Sequence, residues 1–168
     1  LHHSQFKKIK NLVQNNEIGK VHSVSCRFGI PNLEKPGFRN NPDLGGGAFW
    51  DVGSYTVAAV LELFNYQNAK VLYAEVSKRE NSLVDTEGRA ILKFSKGTVA
   101  YLEWGIGVSY KNEIDLWGDN GSFYTDKIFS KPENYLPVYR IRNQYGNESS
   151  IDGEIEDQFN AMFRAFSD

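Results

Sequence analysis

Residues 47–64 form a helical run that is apolar nearly all the way round. Ala48, Phe49, Trp50, Val52, Val57, Ala58, Val60, Leu61 and Phe64 leave little polar surface, and a helix of that kind has to be buried. It is preceded by Gly45-Gly46-Gly47 and by a loop over residues 31–46 that holds Pro31, Pro36, Gly37 and Pro42. Loops of this length without their own periodicity are often functional.

Alternating segments supply the surface against which such a helix packs. Residues 20–30 and 70–78 alternate, and a meander follows: 89–94 and 98–104 flank Ser95-Lys96-Gly97, and 113–117 and 122–126 flank Gly118-Asp119-Asn120-Gly121. Asn-Gly between alternating runs is a strong hairpin signal. Residues 136–142 read as a further strand. A first helix over 4–15 carries Phe6, Ile9, Leu12 and Val13 at helical spacing and stops before Gly19, and the last helix begins near Asp152. The fold class expected is α+β: an open, mostly antiparallel sheet of about six strands with helices packed on one face. Large side chains fall on both alternating sets, Tyr101 with Trp104 and Ile114 with Trp117. The face turned away from the helices is therefore a candidate partner surface.

Composition narrows the function classes. Apolar residues make up 40% and the formal net charge is −2, with no clustered basic face of the kind nucleic acid requires. Lys7-Lys8-Ile9-Lys10 reads as a solvated helix face. No apolar run reaches the roughly 20 residues that span a bilayer. The single cysteine, Cys26, has no internal disulfide partner and no zinc spacing around it, and it falls at a core position of the 20–30 strand. One thiol and no leader segment make a reducing cytoplasm the expected location. The chain opens at Leu1 inside a helical stretch and ends at Asp168, straight after the amphipathic run Ile155, Phe159, Met162, Phe163, Phe166. A single domain, 1–168, of a larger polypeptide is the expected organisation.

The chemistry sits at the start of the apolar helix. Asp51 and Tyr55 are four residues apart and project from one helical face. An ionisable pair in an apolar element needs partners or a ligand. A phenol exchanges a proton with a substrate oxygen when a cation or a shaped hydrogen-bond network supports it. Gly53 lets another group approach, and Gly46 and Gly47 free space at the helix start, where N–H groups attract electronegative atoms. The structural alternative is that Asp51 faces the helix dipole and Tyr55 packs in the core. Arg39 precedes the glycines and reaches either a substrate or a loop-anchoring carboxylate. Trp50 is a candidate pocket wall, with core packing as its competing role. His2 and His3 point in different directions on a helix, so no joint metal site is expected, and no other metal-ligand set is evident.

Gly45-Gly46-Gly47-Ala48 followed by Asp51, Gly53 and Tyr55 resembles the second domain of the glucose–fructose oxidoreductase / inositol dehydrogenase (Gfo/Idh/MocA) family. His3 to Lys10, Glu17-Ile18-Gly19-Lys20-Val21 and Phe38-Arg39-Asn40-Asn41-Pro42-Asp43-Leu44 extend the resemblance over about residues 3–64. A tyrosine at position 55 resembles the branch that includes dihydrodiol dehydrogenase, xylose dehydrogenase and glucose–fructose oxidoreductase. The resemblance implies an NAD- or NADP-dependent oxidoreductase of a sugar, sugar derivative or cyclic polyol. In it this domain supplies substrate contacts and forms a homo-oligomer through its open sheet face. Tyr55 is then the acid/base and Asp51 a substrate-positioning carboxylate; Arg39, Trp50, Gly46 and Gly47 stay candidate substrate-binding residues on the residue chemistry above. Two departures bear on this. The chain has no Gly-x-Gly-x-x-Gly after a strand, so its cofactor-binding residues are unknown and the Rossmann domain is expected elsewhere. Glu34-Lys35-Pro36 imitates the family's lysine motif, but that motif belongs to the absent domain, so Lys35 reads as an ordinary loop lysine. The isolated chain is expected to be inactive. The alternative function is a non-catalytic binding or assembly module of the same fold.

Overall fold

The structure, a computed structural model, describes residues 2–66 and 68–167. Helix α1 (Ser4–Gln14) leads into strand β1 (Val21–Ile30), and the 31–46 loop folds into two 3-10 turns, Gly37–Asn40 and Pro42–Leu44. A π-helical turn (Phe49–Gly53) runs straight into α2 (Ser54–Leu63). Strands β2 (Ala69–Ser77), β3 (Glu87–Phe94), β4 (Val99–Ile106), β5 (Lys111–Gly118), β6 (Gly121–Asp126), β7 (Val138–Asn143) and β8 (Glu148–Asp152) follow, and α3 (Gln158–Ser167) closes the chain.

The strands form one open sheet in the order β2-β3-β4-β1-β5-β6-β7-β8. All neighbours are antiparallel except β1 and β4, which run parallel in register from Ser23↔Val99 to Ile30↔Ile106. β1 therefore inserts into the middle of a meander that follows it in sequence. One face carries Val24, Cys26 and Phe28 from β1, Leu92 and Phe94 from β3, Ala100, Leu102 and Trp104 from β4, and Ile114 and Leu116 from β5, all buried. Phe6, Ile9 and Leu12 of α1 and Ala59, Val60 and Leu63 of α2 complete that core. Each buried valine, leucine, isoleucine or phenylalanine among them contributes about 1.5–3 kcal/mol. Phe64 at the end of α2 stacks at 4.6 Å on Phe94. Cys26 is a core residue whose thiol is pushed up in pKa by burial.

The architecture is the open α+β sheet expected from alternation, with eight strands rather than about six. The added strand at the far edge, β8, is exposed along its whole length and is defined by its pairing with β7. It occupies the place where the last helix was expected to begin, and that helix starts instead at Gln158. On the open face, Glu75, Arg89, Glu103, Arg27 and Glu113 stand opposite one another across five strands. Arg27 pairs with Glu103 at 2.7 Å and Glu113 at 3.1 Å, and Arg89 with Glu75 at 3.8 Å. Exposed Tyr73, Tyr101 and Trp117 share that face, whereas Trp104 and Ile114 turn to the core. Among the described residues no helix is long and apolar enough to cross a membrane.

Candidate active site

The approach to α2 is tightly wound. Gly46 N–H donates to the Asn41 carbonyl and Gly47 N–H to the Arg39 carbonyl, both at 2.9 Å. A Cβ on Gly46 would lie 2.6 Å from the carbonyl oxygens of Phe38 and Arg39. Gly47 has φ +125°, and a Cβ there would lie 2.1 Å from Asp85 Oδ1. Asp85 grips the helix start twice: its carbonyl accepts from Ala48 N–H at 2.9 Å and its Oδ2 from Phe49 N–H at 2.7 Å. The electronegative group expected at this terminus is thus Asp85. The glycines make room for the chain's own backbone and for that carboxylate.

The first turn that follows is π rather than α, with Ser54 N–H donating to the Phe49 carbonyl. Beneath it lies Trp104. A Cβ on Gly53 would stand 2.8 Å from the indole, so the close approach expected at Gly53 is made by a core side chain. Turns of this type are frequent at functional sites.

Asp51 and Tyr55 both line a cavity of about 350 Å³. Phe28 and Ile30 of β1, Phe129 after β6, Phe6 of α1, and Phe159 and Met162 of α3 form its apolar walls, and His2, His3, Ser130, Gln158 and Arg39 its polar margin. Tyr55 is 48% exposed. Its ring stands edge-on to Phe28 at 5.8 Å and tilted to Phe129 at 6.0 Å. No hydrogen bond fixes its hydroxyl among the described residues. Asp51 is largely buried and accepts a 2.6 Å bond from Arg39 Nε; Arg39 also lies over the Phe38 ring. Of the two roles open to Arg39, the loop-anchoring ion pair is realised, at the rim of the cavity.

Other expected residues fall elsewhere. Gly46, Gly47 and Trp50 do not line this cavity; Trp50 is 66% exposed and packs edge-on against Phe49. Lys35 lies on the exposed part of the loop, outside the lining. His3 is buried and caps α1. Its Nδ1 accepts from Gln5 N–H at 3.0 Å, so Nε2 carries the proton and donates to the Glu156 carbonyl at 2.9 Å. The Glu156 carboxylate accepts from Ser4 N–H. This ties the start of α1 to the segment that leads into α3, the helix over the cavity. Burial, then the nearby Lys131 charge, lower the His3 pKa, and burial pushes Lys131 down to about 8. Asp85, Phe129 and Trp104 escape sequence reading because they lie far along the chain from Tyr55. Gly47 and Gly53, where a Cβ would meet Asp85 and Trp104, were the sequence signal that something presses on this turn.

The family model for the GFO/IDH/MocA C-terminal domain matches residues 6–124. A dTDP-3,4-didehydro-2,6-dideoxy-alpha-D-glucose 3-reductase of Saccharopolyspora spinosa is 33% identical over 167 residues, covering 99% of this chain and 50% of that protein. A trans-1,2-dihydrobenzene-1,2-diol dehydrogenase of Xenopus laevis is 29% identical over 131 residues, 78% of this chain and 39% of the relative. The crystal structure of a 3-ketoreductase from Actinomadura kijaniata, in complex with NADP and TDP-benzene, superposes with a TM-score of 0.90 at 28% identity, over 99% of this chain and 50% of that one. The chain spans about half the length of the reductases it matches.

Proposed function

The chain belongs to the GFO/IDH/MocA family, matching its C-terminal domain, and on that premise we propose that it is the substrate-side half of an NAD(P)-dependent oxidoreductase acting on a sugar derivative. Residues 1–168 are one domain, and the dinucleotide is held by the rest of the protein. The residues of this chain do not fit the cofactor's pyrophosphate: no Gly-x-Gly-x-x-Gly follows a strand, and the Ala48 and Phe49 N–H groups at the start of the helical run are already taken by Asp85. They do fit the oxygen at which a carbonyl and an alcohol interconvert. A nicotinamide held by the rest of the protein would supply or accept the hydride at carbon. Tyr55 gives the oxygen its proton in reduction and takes it back in oxidation. Asp51 holds Arg39 at the cavity rim, where the guanidinium meets the polar part of the substrate, and Phe28 and Phe129 form an apolar wall for the ring. By likeness to the reductases above, a nucleotide-linked keto sugar is the substrate we favour. A cytoplasmic homo-oligomer, paired through the open sheet face, is the assembly.

One observation carries this reading. Tyr55 reaches a cavity with its hydroxyl unpartnered among the described residues, whereas a packing role would bury that group or bond it. This also weighs against a non-catalytic assembly module. The test is Tyr55→Phe in the whole protein, assayed with NADPH and dTDP-3,4-didehydro-2,6-dideoxy-α-D-glucose. Loss of an acid of this kind lowers turnover by about 10²–10⁴-fold, with the melting temperature unchanged. An unchanged rate with lower stability would favour the assembly module. The isolated chain is expected to turn nothing over, and NADPH consumption by it would refute the division of labour.

A further inference from the structure

We propose that Asp85 is a positioning residue for the proton-handling site: it sets the rotational phase between Asp51 and Tyr55 by clamping the first turn of their helix to the sheet. This rests on the reading of Tyr55 as the acid/base.

The two ends of the Phe49–Gly53 turn are held by different parts of the molecule. Downstream, Thr56, Ala59, Val60 and Leu63 bury α2 in the core, which fixes Tyr55. Upstream, Asp85 holds Ala48 and Phe49 by its carbonyl and carboxylate. Asp85 itself lies in the loop that leads into β3, between residues tied to the sheet and the core. Its neighbour Thr86 receives the Ile106 N–H at 2.8 Å and donates its own N–H to the Ser77 carbonyl at 2.9 Å, and Val84 on the other side is buried. Between the two anchors the chain takes a π-turn, whose hydrogen-bonded ring holds one residue more than an α-turn. With the upstream anchor released, the turn is free to relax toward α geometry. The side chains of the turn, Asp51 among them, then rotate relative to Tyr55. Asp51 would shift against Arg39 and out of its set alignment with Tyr55 while α2 stays packed. Gly47 belongs to the same device, since a methyl there would occupy the position of Asp85 Oδ1.

The test uses the whole protein with the keto-sugar nucleotide and NADPH. Asp85→Ala is expected to lower kcat by about 10–100-fold, the scale of a small misplacement of reacting groups. It should also speed amide hydrogen exchange at Ala48 and Phe49. Asp85→Asn keeps an acceptor oxygen and should recover most of the rate. Added to Tyr55→Phe, Asp85→Ala should cost little more, because residues acting through one group are non-additive. An unchanged kcat for Asp85→Ala, or the same fold-loss with and without the Tyr55 hydroxyl, overturns the proposal whatever happens to the melting temperature. Should Asp85→Ala not fold, Gly47→Ala displaces the same carboxylate and is held to the same non-additivity. Full activity of Tyr55→Phe alone overturns the reading of Tyr55 together with this proposal. Collapse of Tyr55→Phe beside an indifferent Asp85→Ala overturns only the latter.

Discussion

Asp51 and Tyr55 meet in one cavity but play opposite electrostatic parts: the carboxylate is spent on Arg39 and the phenol is left open. The i, i+4 spacing made their shared face legible. The partners are another matter, because a lone loop aspartate such as Asp85 has no local signature and its bonds reach back 36 residues. His3 shows the same limit. Its place at the start of α1 is visible in sequence, while its carbonyl partner Glu156 lies 153 residues away. Its environment has a consequence for stability. Burial, Lys131 and Lys7 lower the His3 pKa from 6.5, partly opposed by Glu156. The unfolded chain therefore binds the proton more readily, and stability is lost as pH falls from 6.5 toward the lower folded-state value. Protonation also removes the Nδ1 acceptor from Gln5 N–H. His3→Asn keeps a capping oxygen without titrating, so urea midpoints against pH should show a flatter slope below 6.5 than the parent protein. Parallel slopes would assign the acid sensitivity to other groups.

At the scale of elements, alternation and helical period identified nearly every segment that buries one face. They missed β8, which buries neither, and they read residues 47–64 as one uniform helix. A π-turn leaves no periodic signal in five residues, because its cause lies outside them, in Asp85 above and Trp104 below. Gly53 tests that account. Its φ of −66° is ordinary for any residue in a helix. Replacing glycine by alanine at an open helical site stabilises by roughly 0.5–1 kcal/mol. Here the methyl would meet the Trp104 ring, and overpacking a filled core costs about 1–3 kcal/mol. Gly53→Ala should therefore lower the urea midpoint. A rise would show that the indole can move aside and that the turn is not wedged.

For the whole molecule, the sheet divides labour between its faces. One buries the core and orients α2; the other presents Tyr73, Tyr101 and Trp117 around a row of alternating charges that is largely paired within the chain. Charges already neutralised by neighbours lose less on desolvation than isolated ones, so this face can be covered by a second copy. Tyr101→Asp with Trp117→Asp should convert the whole protein to a smaller species in sedimentation velocity without changing its far-ultraviolet spectrum. Identical sedimentation would place the contact elsewhere. The amino-acid sequence by itself determined the α+β class, the apolar helix (though it buries one side only, with Trp50 and Tyr55 exposed), the strands that alternate and the Asp51–Tyr55 pair, since each follows from spacing along a few residues. Only the tertiary structure decided that β1 lies between β4 and β5, that Asp51 bonds Arg39, that Asp85 and Trp104 hold the turn from either side, and that Phe129 and α3 wall the cavity. Those facts rest on contacts between segments far apart in the chain, where packing and shared hydrogen bonds select one arrangement among many that the local pattern permits.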